Sequence, residues 1–276
     1  MKRSRTAQGV AAERAVLNAM GVLDDPYSKA LLTPLWSGFA ALMAYVPQRF
    51  RPGNITLTGL AARVMWYDSQ VTEALRSGIK QVAVIGAGYD TRTWRFHQDD
   101  VAFFELDHPA TQRDKRSRSL NPGPTYVEAD LTASSAISAL ESHGFDPASP
   151  ALFIIEGVTM YLTKDTVQRQ LRDLADACCA GTRLAIDFYP PTAAGTSLDR
   201  RQILYQKMFR TGSGEGFKLV LDLDEARDFV ERCGWETNAV TSLRAAAKAF
   251  VPAHSKLPVE RVAAHKALIA AVVAIG

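Results

Sequence analysis

Three cysteines, Cys178, Cys179 and Cys233, are all that this chain of 276 residues contains. Their number is odd and two are adjacent, so they do not form a disulfide framework, and their spacing is not that of metal ligands. A reducing cytoplasm is the expected compartment. No apolar run is long enough for a transmembrane helix; the run at residues 267–275 is far too short. The opening MKRSRTAQG is basic, but no apolar h-region follows, which argues against a secretory leader. Charge of one sign is also lacking. Lysine and arginine number 32 against 29 acidic residues, a net charge of +3, so neither a nucleic-acid nor a membrane partner is expected. The five histidines, His97, His108, His143, His254 and His265, form no HxxxH pair or cluster, and no metal is expected. A GxSxG elbow for Ser/His/Asp hydrolysis is absent.

What is present centres on residues 81–92, QVAVIGAGYDTR. A short apolar, β-branched run turns on Gly86, Ala87 and Gly88 and leads into a helix start. A buried strand entering a glycine turn and then a helix is the first unit of a doubly wound nucleotide-binding sheet. Glycine lets the backbone come close to a ligand, and the following helix aims free N–H groups at it. A second apolar run, 101–104, ends in Glu105-Leu106-Asp107. That is the distance past the glycines at which a ribose-binding carboxylate belongs. The dinucleotide fingerprint wants a third glycine at position 91, where this chain has Thr91. Its absence argues against pyrophosphate and suits an adenosine cofactor without phosphates, such as S-adenosylmethionine.

The rest of the chain alternates strand and helix, the pattern of a parallel sheet. Strands are expected at 81–85, 101–106, 125–128, 151–155, 183–188 and 236–243, with 268–275 as a closing strand. The expected fold class is α/β, a Rossmann-like, doubly wound, mostly parallel sheet in one domain over 1–276. Residues 1–51 read as a helical cap over the ligand edge, with Pro34, Pro47 and Pro52 dividing its second half into short helices. Residues 52–188 and 218–276 form the core, and 189–217 read as a lid insertion. The charged stretch 112–118 (QRDKRSR) reads as a solvated helix on the sheet surface.

Ligands of open parallel sheets lie beyond the carboxyl ends of the strands. Four such ends carry suitable groups: the Gly86–Ala87–Gly88 turn, Asp107, Asp130 with Leu131, and Glu156. Asp107 can accept both ribose hydroxyls; Glu105 points to the same side but lies less far past the strand. Asp130 and the Leu131 backbone suit the adenine amino group and a ring nitrogen, and Leu131 offers the ring an apolar wall. Glu156 could accept from a methionine ammonium. Arg63 could pair with the methionine carboxylate or bridge to Asp68. Asp90 and Arg92 could pair locally and shape the turn. No catalytic residue is assigned; Tyr161, Tyr189 and Tyr205 are pocket-wall candidates by position.

These stretches resemble the leucine carboxyl methyltransferase family, above all its bacterial, mycobacterial and tetracenomycin-type branch of S-adenosylmethionine-dependent O-methyltransferases. The similar segments are SRTAQGVAAERA, DDPYSKAL, Arg63 with Trp66-Tyr67-Asp68, GIKQVAVIGAGYDTRTWRF, FELDHP, VEADL, EGVTMYL and CGW. The resemblance implies a class I methyltransferase fold and cofactor contacts at Arg63, Gly86, Asp107, Asp130, Leu131 and Glu156. It also implies O-methylation of a carboxylate or hydroxyl on a small molecule, such as a polyketide or other secondary metabolite. The eukaryotic members that methylate a phosphatase C-terminus carry a lysine before the DPY motif. None stands near Met20, so a phosphatase acceptor is not expected. The tail after about Leu243 differs from the family's usual ending. Two other readings stay open: a cofactor-binding regulator without turnover, and a nicotinamide oxidoreductase.

Overall fold

A computed structural model of the protein describes residues 5–47, 54–191, 217–262 and 266–274. Most of the expected lid insertion lies outside them, as do Tyr205 and His265. Three helices come first: α1 (Arg5–Ala19), α2 (Pro34–Tyr45) and α3 (Asn54–Arg76). The sheet then begins with β1 (Gln81–Ile85), the one-turn helix α4 (Arg92–Arg95), β2 (Ala102–Asp107), α5 (Pro109–Arg116) and β3 (Thr125–Glu128). It continues with α6 (Ala136–Glu141), β4 (Ala151–Ile155), α7 (Lys164–Ala177), β5 (Arg183–Phe188) and α8 (Leu223–Glu231). The chain closes with β6 (Trp235–Ser242), α9 (Leu243–Phe250) and β7 (Ala267–Val273).

The seven strands lie in the order β3-β2-β1-β4-β5-β7-β6. β1 pairs in parallel with both β2 and β4, β2 with β3, and β4 with β5. β7 runs antiparallel to its neighbours β5 and β6. The order reverses at β1, so the crevice beyond Ile85 is the switch point of the sheet. The expected doubly wound, mostly parallel sheet is the one observed.

β1 is buried along its whole length, as a central strand covered on both faces must be. Its alternate side chains enter different cores. Val82 and Val84 pack with residues of α1, α3 and α9, while Ala83 and Ile85 pack with those of α6, α7 and α8. The outer helices carry the expected start signals. Thr163 caps α7 by accepting from the Thr166 N–H, and Asp222 and Glu225 form a capping box on α8.

Three details depart from expectation. Strand β2 runs one residue further than expected, to Asp107, while residues 34–45 form a short helix between Pro34 and Pro47 as expected, with Pro34 at its first position, where the missing N–H has no bond to lose. The tail holds the helix α9, which packs on α3 and which the sequence pattern did not reveal. The charged stretch 112–118 is not simply a solvated face. Gln112 and Lys115 are buried; the Lys115 ammonium pairs with the Glu105 carboxylate and donates to the Asp90 carbonyl at 2.7 Å.

Candidate active site

The glycine turn continues β1 directly. The N–H groups of Gly86 and Ala87 donate to the Leu106 carbonyl at 2.7 and 3.0 Å, so the turn is stitched to the end of β2. Gly86 sits at φ +71, and a β-carbon there would lie 2.3 Å from Val158 Cγ2. The turns after β1 and β4 therefore touch, and only glycine permits both the backbone conformation and the approach.

Asp107 ends β2 beside this turn. One carboxylate oxygen accepts the Gly88 N–H at 2.7 Å and the other the His108 N–H at 2.6 Å. The Thr111 side chain is a further hydrogen-bond partner of this carboxylate. Burial raises the Asp107 pKa, and the two N–H donors oppose that rise. Glu105, two residues earlier, is fully buried with Lys115. Burial pushes its carboxyl up to about 7, with the Lys115 ammonium pulling the other way. Of the two carboxylates, Asp107 is the one that keeps some exposure at the strand end.

Beyond β3, Asp130 is exposed and its Oδ1 accepts from the Thr132 N–H and hydroxyl at 2.9 and 2.7 Å. Those bonds lower its pKa. Leu131 is buried beside it, its carbonyl held by Gln170 Nε2 at 2.8 Å.

Beyond β4, Glu156 stands between two guanidinium groups, Arg63 Nε at 2.9 Å and Arg92 Nη1 at 2.8 Å. Burial alone would raise its pKa; Arg92 and Arg63 outweigh that and hold it at about 2. Arg63 does not bridge to Asp68. Asp68 is instead taken by Arg92 at 2.8 Å and Arg95 at 2.5 Å, because the one-turn helix α4 turns both arginines back towards α3. The Asp90–Arg92 pair expected from the sequence forms at 2.5 Å. Arg14 of α1 joins from the far side, paired with Asp25 at 2.7 Å and bonded to the Thr91 hydroxyl. Its helix also places the Ala7 methyl where a β-carbon on Gly88 would come within 3.3 Å.

The structure thus brings Arg63, Gly86, Ala87, Gly88, Asp107 and Glu156 to one edge, with Asp130 and Leu131 further along it. Sequence reasoning missed the central place of Arg92, although it stands inside the GAGxDTR segment. It also missed Asp187 and Lys266. Asp187 accepts the Gly157 N–H at 2.6 Å and pairs with Lys266 at 2.5 Å. Nothing in the local pattern marks that lysine, which merely precedes an apolar run.

The donor set fits S-adenosylmethionine. A paired cation and anion at the end of β4 match the zwitterionic methionine end, and a carboxylate at the end of β2 matches a ribose diol. Among the described residues no group of three or more His, Cys, Asp or Glu side chains is placed to hold a metal ion, and no helix is long and apolar enough to cross a membrane.

Comparison with known proteins places the chain among methyltransferase relatives. A protein of Mycolicibacterium gilvum named as a candidate S-adenosyl-L-methionine-dependent methyltransferase is 28% identical over 263 residues, covering 85% of this chain and 84% of the relative. One of the same description from Mycobacterium marinum is 27% identical over 251 residues, covering 85% and 82%. The crystal structure of a DUF574 family protein from Streptomyces avermitilis superposes with a TM-score of 0.60 at 17% identity, covering 94% of this chain and 96% of that one. A candidate methyltransferase from Thermobifida fusca gives 0.57 at 16% identity, covering 95% and 94%; these two likenesses concern the fold. The family model described as leucine carboxyl methyltransferase matches residues 6–175, and the chain belongs to that family.

Proposed function

We propose that this protein methylates an oxygen of a small molecule, with a carboxylate as the favoured acceptor, and works in the cytoplasm. Its cofactor is S-adenosylmethionine, the one named for the mycobacterial relatives; the acceptor class is our own reading. The observation that carries the reading is the placement of Asp107 and Glu156 on either side of the Gly86–Gly88 turn. They follow the carboxyl ends of β2 and β4, the two strands that flank β1.

In this reading Asp107 accepts the ribose hydroxyls, and Asp130 with Leu131 lines the adenine. Arg63 takes the methionine carboxylate and Glu156 the ammonium, while Gly86, Ala87 and Gly88 let the backbone pass close beside them. The bound cofactor supplies an electrophilic methyl group on its sulfonium. The protein has to align that methyl with the acceptor oxygen and keep water out.

A carboxylate acceptor is already ionised at neutral pH and needs no general base; an alcohol does. The carboxylates described at this edge are engaged. Glu156 serves two arginines at a pKa of about 2, and Asp187 serves Lys266 and the Gly157 N–H. Glu156, held so far down, is a poor base at pH 7.

The test is methyl transfer from labelled S-adenosylmethionine to a panel of small carboxylic acids, phenols and alcohols. Label in base-labile methyl esters of the acids is the expected result. Turnover confined to phenols or alcohols would overturn the acceptor class, and no transfer to any acceptor would favour a regulator that only binds the cofactor.

A further inference from the structure

We infer that Lys266 is a positioning residue for the methionine end of the cofactor site. The inference rests on the reading that Arg63 and Glu156 hold that end. Lys266 lies just before β7, the one strand of the sheet that runs against the others, where Ala267 pairs with Phe188 at the carboxyl end of β5. Antiparallel entry is what brings a residue from the start of β7 to the edge where the parallel strands finish.

Its side chain is only 3% exposed. Burying an ammonium there is costly, and an apolar residue would fill the space at less expense. The contacts of that ammonium are therefore informative. It pairs with Asp187 at 2.5 Å and stands 3.8 Å from the centre of the Tyr189 ring, a distance at which a cation and an aromatic face attract.

Each partner reaches the Arg63–Glu156 pair by a separate arm. Asp187 accepts the Gly157 N–H at 2.6 Å, and its main-chain carbonyl accepts the Thr159 hydroxyl at 2.7 Å. It thereby holds the chain on both sides of Val158, the residue in contact with Gly86. Gly157 packs on Arg63 so closely that a β-carbon there would lie 3.2 Å from Nη1. Along the other arm, the Tyr189 hydroxyl accepts from Arg63 Nη1 at 3.4 Å. Lys266 neutralises Asp187, so Arg63 stays with Glu156 and Tyr189. Without that ammonium, the Asp187 carboxylate competes with Glu156 for the guanidinium, and in turning towards Arg63 it gives up the Gly157 N–H.

The test compares two ligands by calorimetry. S-adenosylhomocysteine carries the amino-acid end, and methylthioadenosine lacks it. For Lys266→Met the expected result is S-adenosylhomocysteine bound about tenfold more weakly, the scale of one charge-assisted contact, with methylthioadenosine affinity unchanged. Lys266→Arg should restore most of the loss. Tyr189→Phe, which removes a single hydroxyl and spares the ion pair, should shift S-adenosylhomocysteine alone by a smaller factor. Equal weakening of both ligands would reveal a structural lysine and overturn the inference, as would unchanged binding of both. If Lys266→Met is unaffected while the unsubstituted protein binds S-adenosylhomocysteine, only this inference falls. If the unsubstituted protein binds neither ligand, the reading of the whole site falls with it.

Discussion

Arg63 and Glu156 meet at 2.9 Å although 93 residues separate them in sequence. The first comes from the long helix α3 and the second from the turn after β4. Arg92 closes on the same carboxylate from the start of α4, so three elements converge on one acidic side chain. The pair is nearly buried, with side-chain exposures of 10% and 13%. Removing one member leaves the other charge without its partner.

Glu156→Gln should therefore destabilise the fold as well as the site. Arg63 and Arg92 each lose an anion, although Arg92 keeps Asp68 and Asp90. Breaking a buried pair costs about 3–5 kcal/mol, and the retained partners of Arg92 place the expected loss near the lower end. Urea unfolding measures it. A midpoint equal to that of the unsubstituted protein would show that the network carries no stability.

Acid should act through the same group. The Glu156 carboxyl is held at about 2 against an ordinary 4.5. A depressed carboxyl stabilises the fold fully above its unfolded pKa, and the contribution is lost as pH falls through the folded one. Stability attributable to Glu156 should thus decline between about pH 4.5 and pH 2. Unfolding curves of the protein and of Glu156→Gln, taken across that window, should converge towards its acid end. A gap that stayed constant down to pH 2 would contradict the assignment.

The contact between Gly86 and Val158 predicts a graded response. Gly86→Ala forces a β-carbon to 2.3 Å from a valine methyl at φ +71. Overpacking costs about 1–3 kcal/mol and the left-handed backbone about 1–2 kcal/mol more. Adding Val158→Ala to Gly86→Ala should recover the first part and leave the second. Thermal unfolding of the single and double variants separates them; full recovery in the double variant would mean that the backbone conformation is not the constraint.

Lys115 offers a test away from the edge. Lys115→Met leaves the buried Glu105 carboxyl without its cation and should cost about 3–5 kcal/mol. Adding Glu105→Gln to Lys115→Met should return part of that, because the remaining group is then neutral. Additive losses in the two variants would show that the side chains do not act as a pair.

The parallel sheet was legible because its strands are short β-branched runs bounded by glycine and acidic residues. The strands at 81–85, 125–128, 151–155 and 183–188 stand where the pattern put them. The position of Asp107 was legible for the same reason: it follows an apolar run at a set distance from a glycine turn. Pairing was much less so. Asp68 and Arg63 are five residues apart on one helix, but their partners come from α4 and from β4. Local spacing cannot reveal a partner supplied by a distant strand end. Lys115 looked like one of several surface charges because a lone buried lysine in a charged stretch has no periodic signature. Lys266 was invisible because its meaning depends on β7 running antiparallel, a property of the assembled sheet.

The central claim is that Asp107 and its neighbours hold one adenosyl ligand, and titration of S-adenosylhomocysteine into the protein and into Asp107→Ala tests it most directly. The predicted result is one site per chain, with affinity lowered about 100-fold or more in the variant, since two hydrogen bonds to a charged acceptor are lost at about 1.5–3 kcal/mol each. Equal affinity in the two proteins would contradict the account.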